Sequence, residues 1–241
     1  EGGVLRANWR HDDPKSLGEM IEVWELENTD YLKFVGNDGP QYIVLEDLME
    51  NVGSDILGMD LSLGGGSDVV EYLPLHENHR IDLGAGDDLI TVANSVPLHG
   101  FGFDGWNGPE IGTFSVEKLD GGDSDDYGDT LSFYHRNNAS GVNQVTEGIE
   151  LTLSTAGAVN FENLNGTALD DTIRGDEGNN KLGGHYGVDI IYGGFGNDLI
   201  KADGLDVHPE DDHRPGGLIT DDKLYGENGD DVLVGNRDSN V

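Results

Sequence analysis

Near one end of this sequence a glycine returns every ninth residue, and that period decides what the chain can fold into. From Gly166 the nonamers run GTALDDTIR (166–174), GDEGNNKLG (175–183), GHYGVDIIY (184–192) and GGFGNDLIK (193–201). Fifteen residues interrupt, ADGLDVHPEDDHRPG (202–216), and the register resumes with GLITDDKLY (217–225) and GENGDDVLV (226–234), followed by the start of a seventh unit at Gly235. The sixth position holds Asp171, Asn180, Asp189, Asp198, Asp222, Asp231 and Asn240. The eighth holds Ile173, Leu182, Ile191, Ile200, Leu224 and Leu233. Registered repeats of this kind stack into solenoids.

The unit is too short for a helix and suits a turn followed by a short strand. Positions 7–9 form the strand. With side chains alternating between faces, the eighth residue points inward and its neighbours outward, so Ile191 enters the core while Ile190 and Tyr192 stay on the outer face. Positions 1–6 form a glycine-rich turn. Two units make one coil of 18 residues, so residues 18 apart stack on one edge, Asp171 over Asp189 for example. Stacked carboxylates repel, and a bound cation resolves that repulsion. Calcium fits best: it takes 6–8 oxygens from carboxylates and backbone carbonyls, whereas magnesium demands stricter octahedral geometry and zinc favours His or Cys. The plainer reading of these aspartates, as ordinary turn formers, does not explain their registered repetition.

The pattern resembles the G-G-x-G-x-D-x-U-x repeat of the RTX (repeats-in-toxin, hemolysin-type calcium-binding repeat) family, closely over 166–241 and loosely over 50–130. The resemblance implies an all-β fold, a parallel β-roll, with several calcium ions between adjacent coils. Each ion would take position-6 carboxylates and turn carbonyls from units n and n+2. It implies pairing of Asp171 with Asp189 and Asn180 with Asp198. If the interruption loops out, Asp189 pairs with Asp222 and Asp198 with Asp231. The carbonyl donors it implies lie at Gly166, Ala168, Gly175, Glu177, Gly184, Tyr186, Gly187, Gly193, Phe195, Gly196, Gly217, Ile219, Gly226, Asn228 and Gly229. Asn180 departs from the acidic pattern, which predicts a weaker site.

Earlier in the chain LGGGSDVVE (63–71) and LGAGDDLIT (83–91) look like degenerate units with Asp68 and Asp88 in the sixth position. LDGGDSDDYGDTLSF (119–133) looks like a third, with Asp126 there and an insertion after it. Residues 53–147 are therefore expected to form a degenerate RTX-like β region. In residues 148–165 an alternating strand at Ile149, Leu151 and Leu153 precedes Phe161-Glu162-Asn163-Leu164. Large RTX proteins carry a similar segment, and here it is expected to cap the roll, since an open coil exposes an unpaired strand edge. Residues 1–52 show no glycine–aspartate pattern. IEVWEL (21–26), YLKFVG (31–36) and QYIVLED (41–47) read as strands of a small β subdomain or a neighbour's fragment; the best helical candidate, Leu45–Val52, is short.

Charge agrees with a cation-binding role. Lys and Arg total 13 against 48 Asp and Glu, a formal charge of −35, which disfavours nucleic acid and anionic membrane as partners. Cysteine is absent, excluding disulfides and thiolate metal sites. No apolar run approaches a membrane span, and no signal peptide is visible. The sequence reads as part of a longer polypeptide.

No catalytic motif is found, so the chain itself is not expected to be an enzyme. H-E-x-x-H is missing; His76-Glu77-Asn78-His79 spaces its histidines three apart beside Pro74, which a helical zinc motif does not. G-x-S-x-G and Walker loops are missing too. His208, Glu210, Asp211, Asp212 and His213 read best as a solvated acidic loop. HGFGFDGWNG (99–108) reads best as a loop laying aromatics over the core, with a glycan or protein ligand through residues 1–130 as the alternative. The expectation is a calcium-folded structural and secretion module of a secreted or cell-surface bacterial protein, exported by the type I route that RTX proteins use. The alternatives are the accessory C-terminal part of a metalloprotease- or lipase-like RTX enzyme whose catalytic domain lies outside this chain, or a sugar- or peptide-binding adhesin domain. As a toxin or adhesin component alike, it would fold on meeting extracellular calcium.

Overall fold

The computed structural model describes residues 3–10, 17–26, 32–44, 59–73, 80–92, 118–133, 148–154, 158–205 and 221–235. Every regular element among them is a strand: β1 (Gly3–Arg10), β2 (Leu17–Leu26), β3 (Leu32–Val35), β4 (Tyr42–Val44), β5 (Met59–Ser62), β6 (Val69–Leu73), β7 (Arg80–Asp82), β8 (Leu89–Val92), β9 (Lys118–Asp120), β10 (Thr130–Ser132), β11 (Glu150–Thr152), β12 (Ala158–Val159), β13 (Asn163–Asn165), β14 (Thr172–Arg174), β15 (Lys181–Gly183), β16 (Ile190–Phe195), β17 (Leu199–Lys201), β18 (Lys223–Asn228) and β19 (Val232–Val234). Among the described residues no helix is long and apolar enough to cross a membrane. The helical candidate at 45–52 and the loops at 76–79, 99–108 and 208–213 lie outside the described residues.

From β3 onward the chain winds between parallel sheets. One long sheet runs β19-β17-β15-β13-β10-β8-β6-β4, with the antiparallel pair β1–β2 joined at β4. The alternate strands form two shorter sheets, β3-β5-β7-β9-β12 and β11-β14-β16-β18. The fold is thus all-β and a parallel roll. Its core is a file of inward residues set by the alternation within each strand. Ile43, Val70, Ile90, Leu131, Leu164, Leu182 and Ile200 on the long sheet, and Leu61, Ile81, Leu119, Leu151, Ile173 and Ile191 on the shorter ones, are all buried in one cluster. Each such side chain withdrawn from water contributes about 1.5–3 kcal/mol before entropy is counted. Ile190 and Tyr192 flank Ile191 on the outer face, where Tyr192 stacks on Tyr225 at 4.9 Å and carries the Arg174 guanidinium 3.7 Å above its ring.

The interruption at 202–216 leaves the register intact. Ile191 pairs with Leu224, and Ile200 with Leu233, across the break. Its first residues fold back on the roll: Leu205 is buried and its N–H donates to Asn165 Oδ1 at 3.1 Å.

Two sequence expectations need correcting. Residues 1–52 do not stand apart from the roll, because β3 and β4 form its first described coil: β3 pairs with β5, and β4 with β6. Gly36–Val44 (GNDGPQYIV) is a repeat unit with Gln41 in the sixth place, a glutamine that hid it from a search for aspartate. Residues 148–165 close one sheet of the C-terminal roll, with β11 as the end strand beside β14, but do not close the long sheet. Within them β13 lies between β10 and β15 and pairs with both, so this segment carries the long sheet from one repeat region into the other.

Candidate metal centre

The turn before each strand delivers its last residue, the sixth of the unit, to the edge of the roll. There the backbone N–H of one coil donates to the side chain of the next. On the long sheet Gln41 N–H donates to Asp68 Oδ1 (2.6 Å), Asp68 N–H to Asp88 Oδ1 (2.6 Å), Asp88 N–H to Asp129 Oδ1 (2.7 Å) and Asp129 N–H to Glu162 Oε2 (2.8 Å). The column continues with Asn180 N–H to Asp198 Oδ1 (2.8 Å) and Asp198 N–H to Asp231 Oδ1 (3.0 Å). On the opposite edge Ile149 N–H donates to Asp171 Oδ1 (2.7 Å), Asp171 N–H to Asp189 Oδ1 and Asp189 N–H to Asp222 Oδ1 (both 2.8 Å). The aspartates at 171, 189, 198, 222 and 231, with Asn180, therefore stand in two ladders, paired across coils as the repeat register requires.

Five rungs use one carboxylate oxygen and strand the other, whereas Asp171 also accepts the Thr167 N–H through Oδ2 (2.6 Å) and the Thr167 hydroxyl through Oδ1 (2.8 Å). Oδ2 of Asp68, Asp88, Asp129, Asp189 and Asp198 is buried with no hydrogen-bond partner, as is Gln41 Oε1. A buried carboxylate oxygen without a partner is costly. Burial is the largest cause pushing Asp189 up to about 8, with the Asp171, Asp222 and Asp170 carboxylates adding to it and the Asp171 N–H opposing it. Burial likewise pushes Asp68 and Asp129 up to about 7 and Asp88 up to about 6, and raises Asp198.

In the repeat block the second carboxylate oxygen of the rung faces a cradle. At the first position of the unit a β-carbon on Gly166 would collide with Asp171 Oδ2 and with the carbonyl of Gly184 in the next coil. The same double collision occurs at Gly184, with Asp189 Oδ2 and Ala202 O, and at Gly193, with Asp198 Oδ2 and Gly226 O. At Gly175 the pair is Asn180 Oδ1 and Gly193 O, and at Gly226 the crowding oxygen is Asp231 Oδ2. Glycine is required there because two oxygens from successive coils converge on the space a side chain would take. In the middle of each turn Tyr186 N–H donates to Thr167 O (3.3 Å) and Phe195 N–H to Asp176 O (2.9 Å). Gly187, Gly196 and Gly229 each lie against a carbonyl of the preceding coil, those of Leu169, Gly178 and Gly196. Ala168 is half-buried; Glu177 is exposed in its turn and Asn228 at the end of β18; Gly217 and Ile219 lie outside the described residues.

Such a donor set is all oxygen. Among the described residues no three carboxylate or imidazole side chains form a metal cluster, because the ladder supplies one side chain per coil and the backbone must supply the rest. That combination fits calcium, which accepts carbonyls and carboxylates in a flexible shell of 6–8 oxygens, better than any metal needing nitrogen or sulfur.

In the degenerate units the structure retains Asp68 and Asp88 in the ladder and replaces Asp126. Asp126 is exposed, and Asp129 holds the rung. The turn after β9 carries its extra residues before the sixth position rather than after it, so counting six from Gly121 stops short of the residue that precedes β10. Glu162 was missed for a related reason: only three residues, 160–162, separate β12 from β13, and no glycine turn announces it.

A parallel roll whose glycine turns stack buried, half-satisfied carboxylates is a cation-binding solenoid. Residues 165–200 and 217–241 match the family described as RTX calcium-binding nonapeptide repeat, in four copies. That part of the chain is an RTX repeat block, and RTX nonapeptide repeats bind calcium. No curated protein matches the chain.

Proposed function

We propose that this chain is a calcium-folded structural module of a secreted or cell-surface protein. Its ligands are the position-6 side chains of the repeat block from Gly166 to Val234, completed by turn carbonyls. The observation that carries this reading is the set of buried carboxylate oxygens left without partners beside glycine cradles. A dication among them converts a repulsive column into a bonded one and ties each coil to the next. Without it, mutual repulsion in a chain of charge −35 opposes closure of the turns. Extracellular calcium modules have dissociation constants of about 10⁻⁴–10⁻³ M. A chain tuned to that range stays unfolded in a low-calcium cytoplasm and folds outside, which suits the secretion typical of RTX repeat proteins. Calorimetric titration of the full chain tests the assignment. Asp189→Asn keeps the Oδ1 acceptor and removes one charge from a two-carboxylate site, so the calcium midpoint should rise roughly tenfold, the scale of one charge-assisted interaction. An unaltered midpoint excludes Asp189 as a ligand.

A further inference from the structure

The long-sheet ladder continues into residues outside the matched repeats, and its rungs there are not equivalent. At every first position the backbone N–H keeps one register. Gly36 N–H donates to Ser62 O (2.7 Å), Leu63 N–H to Asp82 O and Leu83 N–H to Asp120 O (both 3.0 Å), and Gly121 N–H to Val159 O (3.1 Å). In the repeat block that position is glycine, and its missing β-carbon is the cradle. At Leu63 and Leu83 the β-carbon is present and the side chain is wholly buried in the core. The space beside Asp68 and Asp88 is therefore taken by the residue's own carbon. At Gly36 the cradle is open, but the side chain facing it is the neutral Gln41.

Only the turn at 121–129 combines the open cradle with a carboxylate among these four units. A β-carbon on Gly121 would lie 2.8 Å from Asp129 Oδ2 and closer still to the Asn160 carbonyl. Asp129 is fully buried and its Oδ2 has no partner. Glu162, in the next coil, holds the Asp129 N–H through Oε2 and stands where Asp189 stands relative to Asp171. The turn supplying Asn160 and Glu162 is only three residues long, so it offers fewer carbonyls than a nonamer turn.

We propose a divalent-cation site at this seam, formed by Asp129, Glu162 and the Asn160 carbonyl, binding calcium where the two repeat regions join, while Asp68 and Asp88 hold none. It rests on calcium being the ligand of the repeat block. The test is a count of calcium ions per full-length chain by equilibrium dialysis at saturating calcium, for the parent, Asp129→Asn and Asp88→Asn. The expected result is one ion fewer in Asp129→Asn and the parent count in Asp88→Asn. A parent count in Asp129→Asn, or a lost ion in Asp88→Asn, overturns the proposal. Should Asp129→Asn not regain the parent's far-ultraviolet spectrum, Glu162→Gln decides in its place, with the same loss expected and an unchanged count overturning it. A parent chain that binds no calcium overturns the calcium reading itself, and the parent's own count identifies that failure.

Discussion

At five rungs, Asp68, Asp88, Asp129, Asp189 and Asp198, a carboxylate accepts a backbone N–H through Oδ1 while its Oδ2 is buried without a partner. That chemistry sets a pH dependence of definite sign. In metal-free protein, burial raises Asp189 to about 8, Asp68 and Asp129 to about 7 and Asp88 to about 6, whereas an unfolded chain releases those protons near 4. Between these limits the folded state binds more protons than the unfolded one. Metal-free stability is then fullest below pH 4 and falls as pH rises towards 8. Calcium reverses the slope, because it binds the ionised ladder and displaces protons. Circular dichroism in excess chelator should show more residual β-structure at pH 5 than at pH 8, while calcium titrations should show tighter binding at pH 8 than at pH 6. A chelated protein that gains β-structure as pH rises from 5 to 8 would contradict the assignment of these carboxylates.

At the scale of the element, strand register is independent of loop length. Along the long sheet successive rungs are separated by 27, 20, 41 and 33 residues before the 18-residue spacing begins. All still meet in register, because pairing is fixed by the three strand residues and the sixth-position side chain while surplus residues leave at the turns. This explains what could be read in advance. The six nonamers from Gly166 to Val234 and their strands were legible, since period and glycine placement coincide. Asp129 was not, because an insertion within the turn displaced the count to Asp126. Gln41 and Glu162 were not, because their units lack the aspartate signature and show themselves only through pairing with Asp68 and Asp129. The same independence predicts that excising residues 206–216 leaves the fold and the calcium midpoint unchanged, since β16–β18 and β17–β19 already pair across that segment. Circular dichroism of the excised chain checks this, and a shifted midpoint would mean that the insertion supplies ligands.

For the whole molecule, one core and one long sheet run from Ile43 to β19, so calcium bound in the repeat block acts on a structure larger than that block. The outer edge strand β19 exposes Val232, Leu233 and Val234, and β1–β2 covers the other end of the same sheet. Coil is added to coil along this axis, and each new coil brings carboxylates to the last. Folding and cation binding are therefore one process in this account. The most direct measurement is far-ultraviolet circular dichroism of the full chain in excess chelator, followed by calcium titration into the millimolar range. The account predicts a largely unfolded spectrum that becomes β-rich in a cooperative transition at about 10⁻⁴–10⁻³ M calcium. A chain already β-rich in chelator, with a spectrum that calcium leaves unchanged, would contradict it.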